Sequence, residues 1–449
     1  MTETRLRSAV RVILVFLLFF MPYSTWALQT LRHSFETLGH PLPLLLQKAM
    51  IGWKEILLVV LMLLLVWLIA KERRLPFRLT LFDRYLAAFA VVGTIIGFII
   101  THKLSWTVFG FRYDFSPFLY YFAARAAVVD RDQLMAMLKK LVWWSVPVML
   151  FGLAQTLFLP MTFMQNFGYA WGGTGITGNP LPPYHLATAS LQVVRAMSTF
   201  PGPNSLALYA VIVLLAVGTL KLFSKKWQLT LGALSLITLL ATFSRGHLVG
   251  LACALLVFLV FWKVKKNKRY ATAIVLIFLL VLTFAATMYA GRFQSSSKTS
   301  ALLGLVLHDT SSTIHEDVRL QAWDVIKTHP FGTGLGTSGL ATTNTGGTVS
   351  NPESWYIQMT VEFGWLGLLA SLAVLVLACR LFSDMGDDLS DSTDRRLLYF
   401  FVAGFAAVAV GANFLPSWFE VGSLYWWILF GFFLSDYTGS FPRSKALTR

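Results

Sequence analysis

Three arginines and one glutamate stand where long apolar stretches of this chain begin or end. Arg195 lies in "VVRAMSTFPGPNSLALYA" and Arg245 in "LLATFSRGHLVGL". Arg319 precedes "FGTGLGTSGL", and Glu353 opens "ESWYIQMTVEFGWLGL". A guanidinium pairs bidentately with phosphate oxygens and stays charged at any relevant pH, so two on one face describe an anion site. If Arg195 and Arg245 converge, the pair can hold a diphosphate and neutralise charge as it departs. Glu353 then supplies a base: a carboxylate accepts the proton of an attacking hydroxyl, and partial burial raises proton affinity towards the working range.

Each residue has a plainer reading. An arginine can snorkel to headgroups or cap a helix C-terminus, which suits Arg319 better than Arg245. The turn at Arg245 needs a Gly or Asn, which Gly246 supplies, and does not need an arginine. Glu353 can be an N-cap or first-turn acid complementing the helix dipole. Trp355 and Tyr356 fit interface anchors more readily than sugar-stacking platforms. His185, His315 and His329 are rival bases in polar loops. His247 binds phosphate when protonated, or packs between helices. Gly334 and Gly336, in the run with Gly332 and Gly339, present backbone N–H groups to a phosphate or sugar, or make a plain turn. That run lacks the lysine of a P-loop and follows no strand, so a nucleotide fold is not expected. No Asp-rich or His/Cys cluster marks a metal site, and no cofactor is implied.

The elements that must position these groups are membrane helices. Of 449 residues, 56% are apolar and only 13% charged, against about 25% charged in soluble domains. Aromatic residues make up 15%, as expected where rings line both water interfaces. The formal charge of +16 lies mostly in short loops between apolar runs. It sets topology and touches anionic lipid, and nucleic acid is not an expected partner. Cys253 and Cys379 sit far apart inside apolar runs, so no disulfide framework is implied.

Apolar runs of spanning length fall at 9–27, 52–70, 85–101, 114–129, 141–160, 204–222, 228–243, 246–262, 270–290, 354–379, 397–414 and 420–436. The run at 114–129 is interrupted by Arg125. Twelve spans put "KERRLPFR", "DRDQLMAMLKK", "KLFSKK", "KVKKNKR", "DRR" and "RSKALTR" on one side, with both termini cytoplasmic. The expected class is therefore an all-α membrane protein of about twelve transmembrane helices. The N-terminal run resembles a signal peptide, but no cleavage site stands out and the parity needs it as a span. The chain divides into N-terminal transmembrane helices (1–160), an outside loop (161–203), transmembrane helices with a Ser-Arg-Gly turn (204–290), a large outside loop (291–353), and C-terminal transmembrane helices with a short tail (354–449). Within the large loop Val318, Ala322, Val325 and Ile326 repeat at helical spacing, which predicts a short amphipathic helix. Thr313 and Glu316 fit its capping box, and His329-Pro330 ends it.

In "RAMSTFPGPNSLALY", "TFSRGHLVGL", "RLQAWDVIKTHPFGTGLGTSG" and "ESWYIQMTVEFGWLGLL", and in their order, the chain resembles the O-antigen ligase and polysaccharide polymerase superfamily. The resemblance is clear over residues 190–375 and weak before them. It implies a metal-independent, inverting glycosyltransferase of the bacterial inner membrane, working at the periplasmic face. The donor it implies is a glycan on undecaprenyl diphosphate. The acceptor is a sugar hydroxyl, on lipid A-core for ligases or on a carrier-linked glycan for polymerases. A chain-length regulator is a further partner to test. Family arginines thought to hold the diphosphate map onto Arg195 and Arg245, and less securely onto Arg319. Ligases show a histidine followed by Asn or Ser where this chain has Glu353-Ser354. That departure leans towards a polymerase of O-antigen, capsule or exopolysaccharide, with the ligase as alternative. A transporter is the rival from another class; it would place charges at the bilayer midplane and show internal repeats.

Overall fold

Hydropathy and helix signals together dictate a bundle of long helices, and the computed structural model has one. It describes residues 2–160, 162–169, 185–187, 192–263, 274–283, 310–349, 352–389, 391–414 and 421–440. In the N-terminal half are α1 (Glu3–Thr37), α2 (Leu44–Ile51), α3 (Trp53–Glu72), α4 (Leu81–Thr101), α5 (Leu104–Asp114), α6 (Ser116–Ala126) and α7 (Arg131–Leu157). A two-stranded antiparallel ribbon pairs His185–Ala187 with Gln192–Val194. Then come α8 (Pro203–Leu220), α9 (Lys225–Ala241), α10 (Arg245–Lys263) and α11 (Ile274–Thr283). The chain continues with α12 (Thr310–Thr328), the single turn α13 (Thr342–Thr345), α14 (Trp355–Asp388), α15 (Ser392–Gly411) and α16 (Val421–Ser440).

Among the described residues seven helices are long and apolar enough to cross a membrane: α1, α3, α4, α7, α8, α10 and α14. The helices α8, α15 and α16 are buried nearly all round and form the centre of the bundle. By contrast Leu63 and Val66 of α3, Ile95 and Ile99 of α4 and Leu229 and Leu240 of α9 are exposed. Large apolar side chains on the perimeter of so apolar a bundle are what a lipid surround requires. Cys253 and Cys379 are free and buried.

The run 114–129 is not one spanning helix. It holds the last residue of α5 and then α6, which restarts after Phe115; each helix is 11 residues long, short of a bilayer at 1.5 Å per residue. Pro117 in the first turn of α6 explains the restart, since proline needs no N–H there. The arginine that interrupts this run is fully buried and meets Asp83 of α4 at 3.0 Å. Thr80 and Asp83 also form a reciprocal capping box at the start of α4.

Two helices bend for identifiable reasons. Pro22 lies inside α1 and has no N–H to give the Leu18 carbonyl; the Pro22 carbonyl and the Trp26 N–H one turn on both meet Thr199. Thr199 serves both: its carbonyl accepts from Trp26 N–H at 3.3 Å and its hydroxyl donates to Pro22 O. In α14 two helical segments meet at Gly364, whose φ is 65° and ψ −158°. Pro330 O accepts the Trp365 N–H at 3.2 Å across that break. The segment Trp355–Leu368 thus enters the bundle as a bent helix, with the loop at Pro330 and Phe331 wedged into the bend.

Candidate functional site

The Arg195 segment is held from three sides. Gln155 of α7 accepts from Ser198 N–H at 2.6 Å and donates to Ser198 O at 3.1 Å. The Ser198 hydroxyl donates to Val148 O at 2.6 Å, and Thr199 docks on the α1 bend. Ala196 N–H donates to Ala241 O at 2.9 Å. Arg195 itself is half-buried. Its Nε donates to Thr242 O at 2.8 Å and its Nη2 to Asn204 Oδ1 at 3.3 Å.

Thr242 begins the turn that carries Arg245, so two of the three arginines share one turn. Ser244 donates to Asn204 Oδ1 at 3.0 Å and sits 2.8 Å from His247 Nδ1. Arg245 is the exposed first residue of α10. The residue taking the left-handed conformation in this turn is Phe243, φ 51°. Gly246 does not supply the turn, contrary to expectation. It lies in helix, and a Cβ there would meet Phe414 Cβ at 2.8 Å. Its smallness lets α10 approach the end of α15.

Asn413, beside Phe414, brings in the third arginine. Arg319 Nη2 donates to Asn413 O at 3.4 Å and its Nε to Pro352 O at 3.3 Å. Burial pulls the Arg319 guanidinium below its ordinary proton affinity, and the Glu353 carboxylate nearby pulls it back up. Glu353 is half-buried and takes φ 52°, a left-handed conformation uncommon for a residue with a Cβ. It is not the N-cap. That role belongs to Ser354, whose hydroxyl accepts from Ile357 N–H at 3.4 Å. Glu353 is thereby released from a capping duty, and its backbone is strained, as at many functional sites.

These contacts gather Arg195, Arg245, Arg319 and Glu353 at one end of the bundle. The start of α8 follows Gly202, α10 begins at Arg245, and α14 begins at Trp355, whose N–H donates to Ala412 O at 2.9 Å. Three helix N-termini therefore open on the cluster, and their partial positive charge adds to that of the guanidiniums. The arrangement can bind a multiply charged anion beside a carboxylate.

Other sequence expectations come out differently. Trp355 and Tyr356 are 1% and 0% exposed. They are neither interface anchors nor open stacking platforms, and Tyr356 donates to Ala409 O at 3.1 Å. The glycine run is also committed internally. Gly334 N–H donates to Glu362 O at 2.8 Å, and Gly336 N–H to Glu362 Oε1 at 3.1 Å. Leu335 between them is buried against Gly97 and Gly110. Gly332, Gly334, Gly336 and Gly339 all have positive φ. The loop's geometry is that of a packed plug. Gly336→Ala is expected to destabilise the fold by about 1–3 kcal/mol, from a Cβ at positive φ pressed on the Trp106 carbonyl. A thermal melt in detergent checks this. An unchanged melt with lost ligand affinity would favour the cradle instead.

The helix α12 begins at Thr310, ahead of the Thr313 start expected, and ends before His329 as expected. His315 lies within it. Its Ala322 and Ile326 are buried with Val349, Ile357 and Val361, so its apolar face docks on α14. His329 is exposed, with Nδ1 2.9 Å from the Thr328 hydroxyl. His185 is in the first strand of the ribbon. Most of "GYAWGGTGITGNPLPPYH" and residues 291–309 lie outside the described residues.

Sequence reasoning missed Asn204, Asn413 and a buried acid pair. Asn204 stood in plain view after Gly-Pro at a helix start, but a lone asparagine there signals a turn. Asp114 and Glu362 are fully buried neighbours; Gln358 Nε2 donates to Asp114 Oδ1 at 2.5 Å, and Glu362 Oε1 accepts from Gly336 and Ser338 N–H. They are 248 residues apart by numbering (362 minus 114), so nothing local announces the pair. Among the described residues no group of three or more His, Cys, Asp or Glu side chains could hold a metal ion.

Fold and site define a multi-pass α-helical membrane protein with a basic, carboxylate-bearing cluster at one end of its helices. Residues 230–372 match the family model described as O-antigen ligase. That stretch, about a third of the chain, is similar to the O-antigen ligase and polymerase superfamily, whose members are glycosyltransferase-like enzymes. It spans Arg245, Arg319 and Glu353, and Arg195 lies before it. No curated protein and no solved structure matches the chain.

Proposed function

We propose that the protein transfers a glycan from undecaprenyl diphosphate to a sugar hydroxyl at the periplasmic face of the bacterial inner membrane. The observation carrying this reading is the joining of Arg195 and Arg245 through the Thr242–Ser244 turn, with Arg319 and Glu353 at the same helix end. In the proposed step the acceptor oxygen attacks the anomeric carbon of the donor as the carbon–oxygen bond to the diphosphate breaks. Arg195 and Arg245 stabilise the charge growing on the leaving diphosphate. Glu353 takes the hydroxyl proton. A single displacement inverts the anomeric centre and needs no metal. Arg319 orients Pro352 and counters the charge of Glu353, and it can also reach a phosphate.

Twelve spans with cytoplasmic termini would put this end of the bundle outside, where the carrier-linked glycan is presented. Glu353-Ser354 in place of the ligase histidine leans towards a polymerase. The family model's own description favours the ligase as the second reading.

Purified protein in nanodiscs, given the host's carrier-linked repeat with EDTA present, distinguishes them by product size. The expected result is a ladder of longer lipid-linked glycans. One product that requires lipid A-core would make the protein a ligase. No product with either acceptor, from folded protein, would overturn glycan transfer.

A further inference from the structure

One side chain in the cluster has its chemistry fixed by elimination. Arginine only donates hydrogen bonds, so the Asn204 atom 3.3 Å from Arg195 Nη2 is the carbonyl oxygen. Ser244 Oγ faces that same oxygen at 3.0 Å and must donate its one proton to it. Its lone pairs then remain for His247 Nδ1 at 2.8 Å, so Nδ1 carries the ring proton. In the neutral ring Nε2 is left as a bare acceptor. It is buried and has no hydrogen-bond partner among the described residues. An acceptor is the easier atom to leave so, since orphaned buried N–H groups are the rarer kind. Every hydrogen bond in the row points towards Asn204: His247 to Ser244, Ser244 to Asn204, and Arg195 to Asn204 from the other side. Accepting from His247 polarises the Ser244 hydroxyl, which strengthens its donation to the Asn204 carbonyl.

We propose that Asn204 is a positioning residue that aims Arg195 at the donor diphosphate, and that Ser244 and His247 hold Asn204 for that task. This rests on the glycan-transfer reading above. Thr242 O takes Nε and Asn204 Oδ1 takes Nη2, so the guanidinium plane is set from two sides. Both of these oxygens are neutral, so they orient the group without adding a counter-charge. A carboxylate at the Asn204 position would orient it as well and neutralise it too. His247 thereby acts as a buried donor, and its assignment as a phosphate ligand is replaced.

The test is Asn204→Asp, matched in size to the native residue and offering Arg195 an ion pair. Steady-state transfer is measured in nanodiscs with the undecaprenyl-diphosphate-linked repeat. Binding of undecaprenyl diphosphate itself is measured in parallel. Asn204→Asp is expected to raise the donor KM and weaken diphosphate binding by about tenfold to a hundredfold, as loss of a charge-assisted contact does. The acceptor KM should stay near that of the native protein. A merely structural tie predicts native donor KM and binding, and that result overturns the proposal. The pair His247→Leu and His247→Asn provides an independent arm, because Asn keeps an N–H where Nδ1 was. Donor KM is expected to rise in the first and recover in the second; equal values overturn the proposal. Weaker diphosphate binding in Asn204→Asp, in a protein that transfers no glycan, would retain the positioning role and overturn the transfer reading instead.

Discussion

Glu353→Gln should lower glycan transfer by about 10²–10⁴-fold while donor KM changes little, the loss typical of removing a general base. Glutamine keeps the size and the carbonyl oxygen but cannot accept the acceptor's proton. The fold should survive, because the helix start depends on Ser354, whose hydroxyl accepts from Ile357 N–H, and not on Glu353. The left-handed backbone at Glu353 is unchanged by the swap. The companion variant Arg245→Ala separates the roles. It should lose transfer and also weaken diphosphate binding, since its charge acts on the donor. Single-turnover kinetics on both variants, with melts to verify folding, would decide. A Glu353→Gln protein with native rate would remove the base from the mechanism.

The largest structural effect is expected from Arg125→Met. Arg125 and Asp83 are both fully buried and meet at 3.0 Å. Arg125 also donates to Arg78 O at 2.7 Å and to Leu434 O, tying α6 to α16. Asp83 accepts further from Tyr121 Oη at 2.5 Å and Thr80 N–H at 2.7 Å. Methionine fills much of the volume but leaves Asp83 as a buried charge without its counter-ion. Breaking such a pair from one side costs about 3–5 kcal/mol. The double variant Arg125→Met with Asp83→Leu should recover most of it, since an apolar pair of similar volume is often neutral. Apparent melting temperatures in one detergent test both. Equal losses in the single and double variants would show that the hydrogen bonds to backbone, and not the ion pair, set the stability.

Much of this was legible in the linear chain because membrane physics is local in sequence. Apolar runs long enough to span mark helices, and arginines at their ends stand out against them. The amphipathic helix over 318–326 was readable from its periodicity, and it docks by the face predicted. Other features depended on partners far along the chain. The break at Gly364 depends on Pro330, so a continuous apolar run concealed it. Arg125 in an apolar run looked anomalous until Asp83, 42 residues earlier, supplied the counter-charge. The glycine run left a phosphate or sugar cradle and a plain turn equally open, and only packing shows that its N–H groups serve the Glu362 side chain and backbone.

The sequence by itself determined that this is a membrane bundle and which charged residues stand at helix ends, because the cost of burying charge in lipid sorts residues by type and spacing. Tertiary structure alone decided that Glu353 does not cap its helix, that Gly246 serves packing and not a turn, and that Asn204 joins Arg195 to Ser244. Hydrogen bonds have direction and short reach, so their partners are chosen only when distant segments meet.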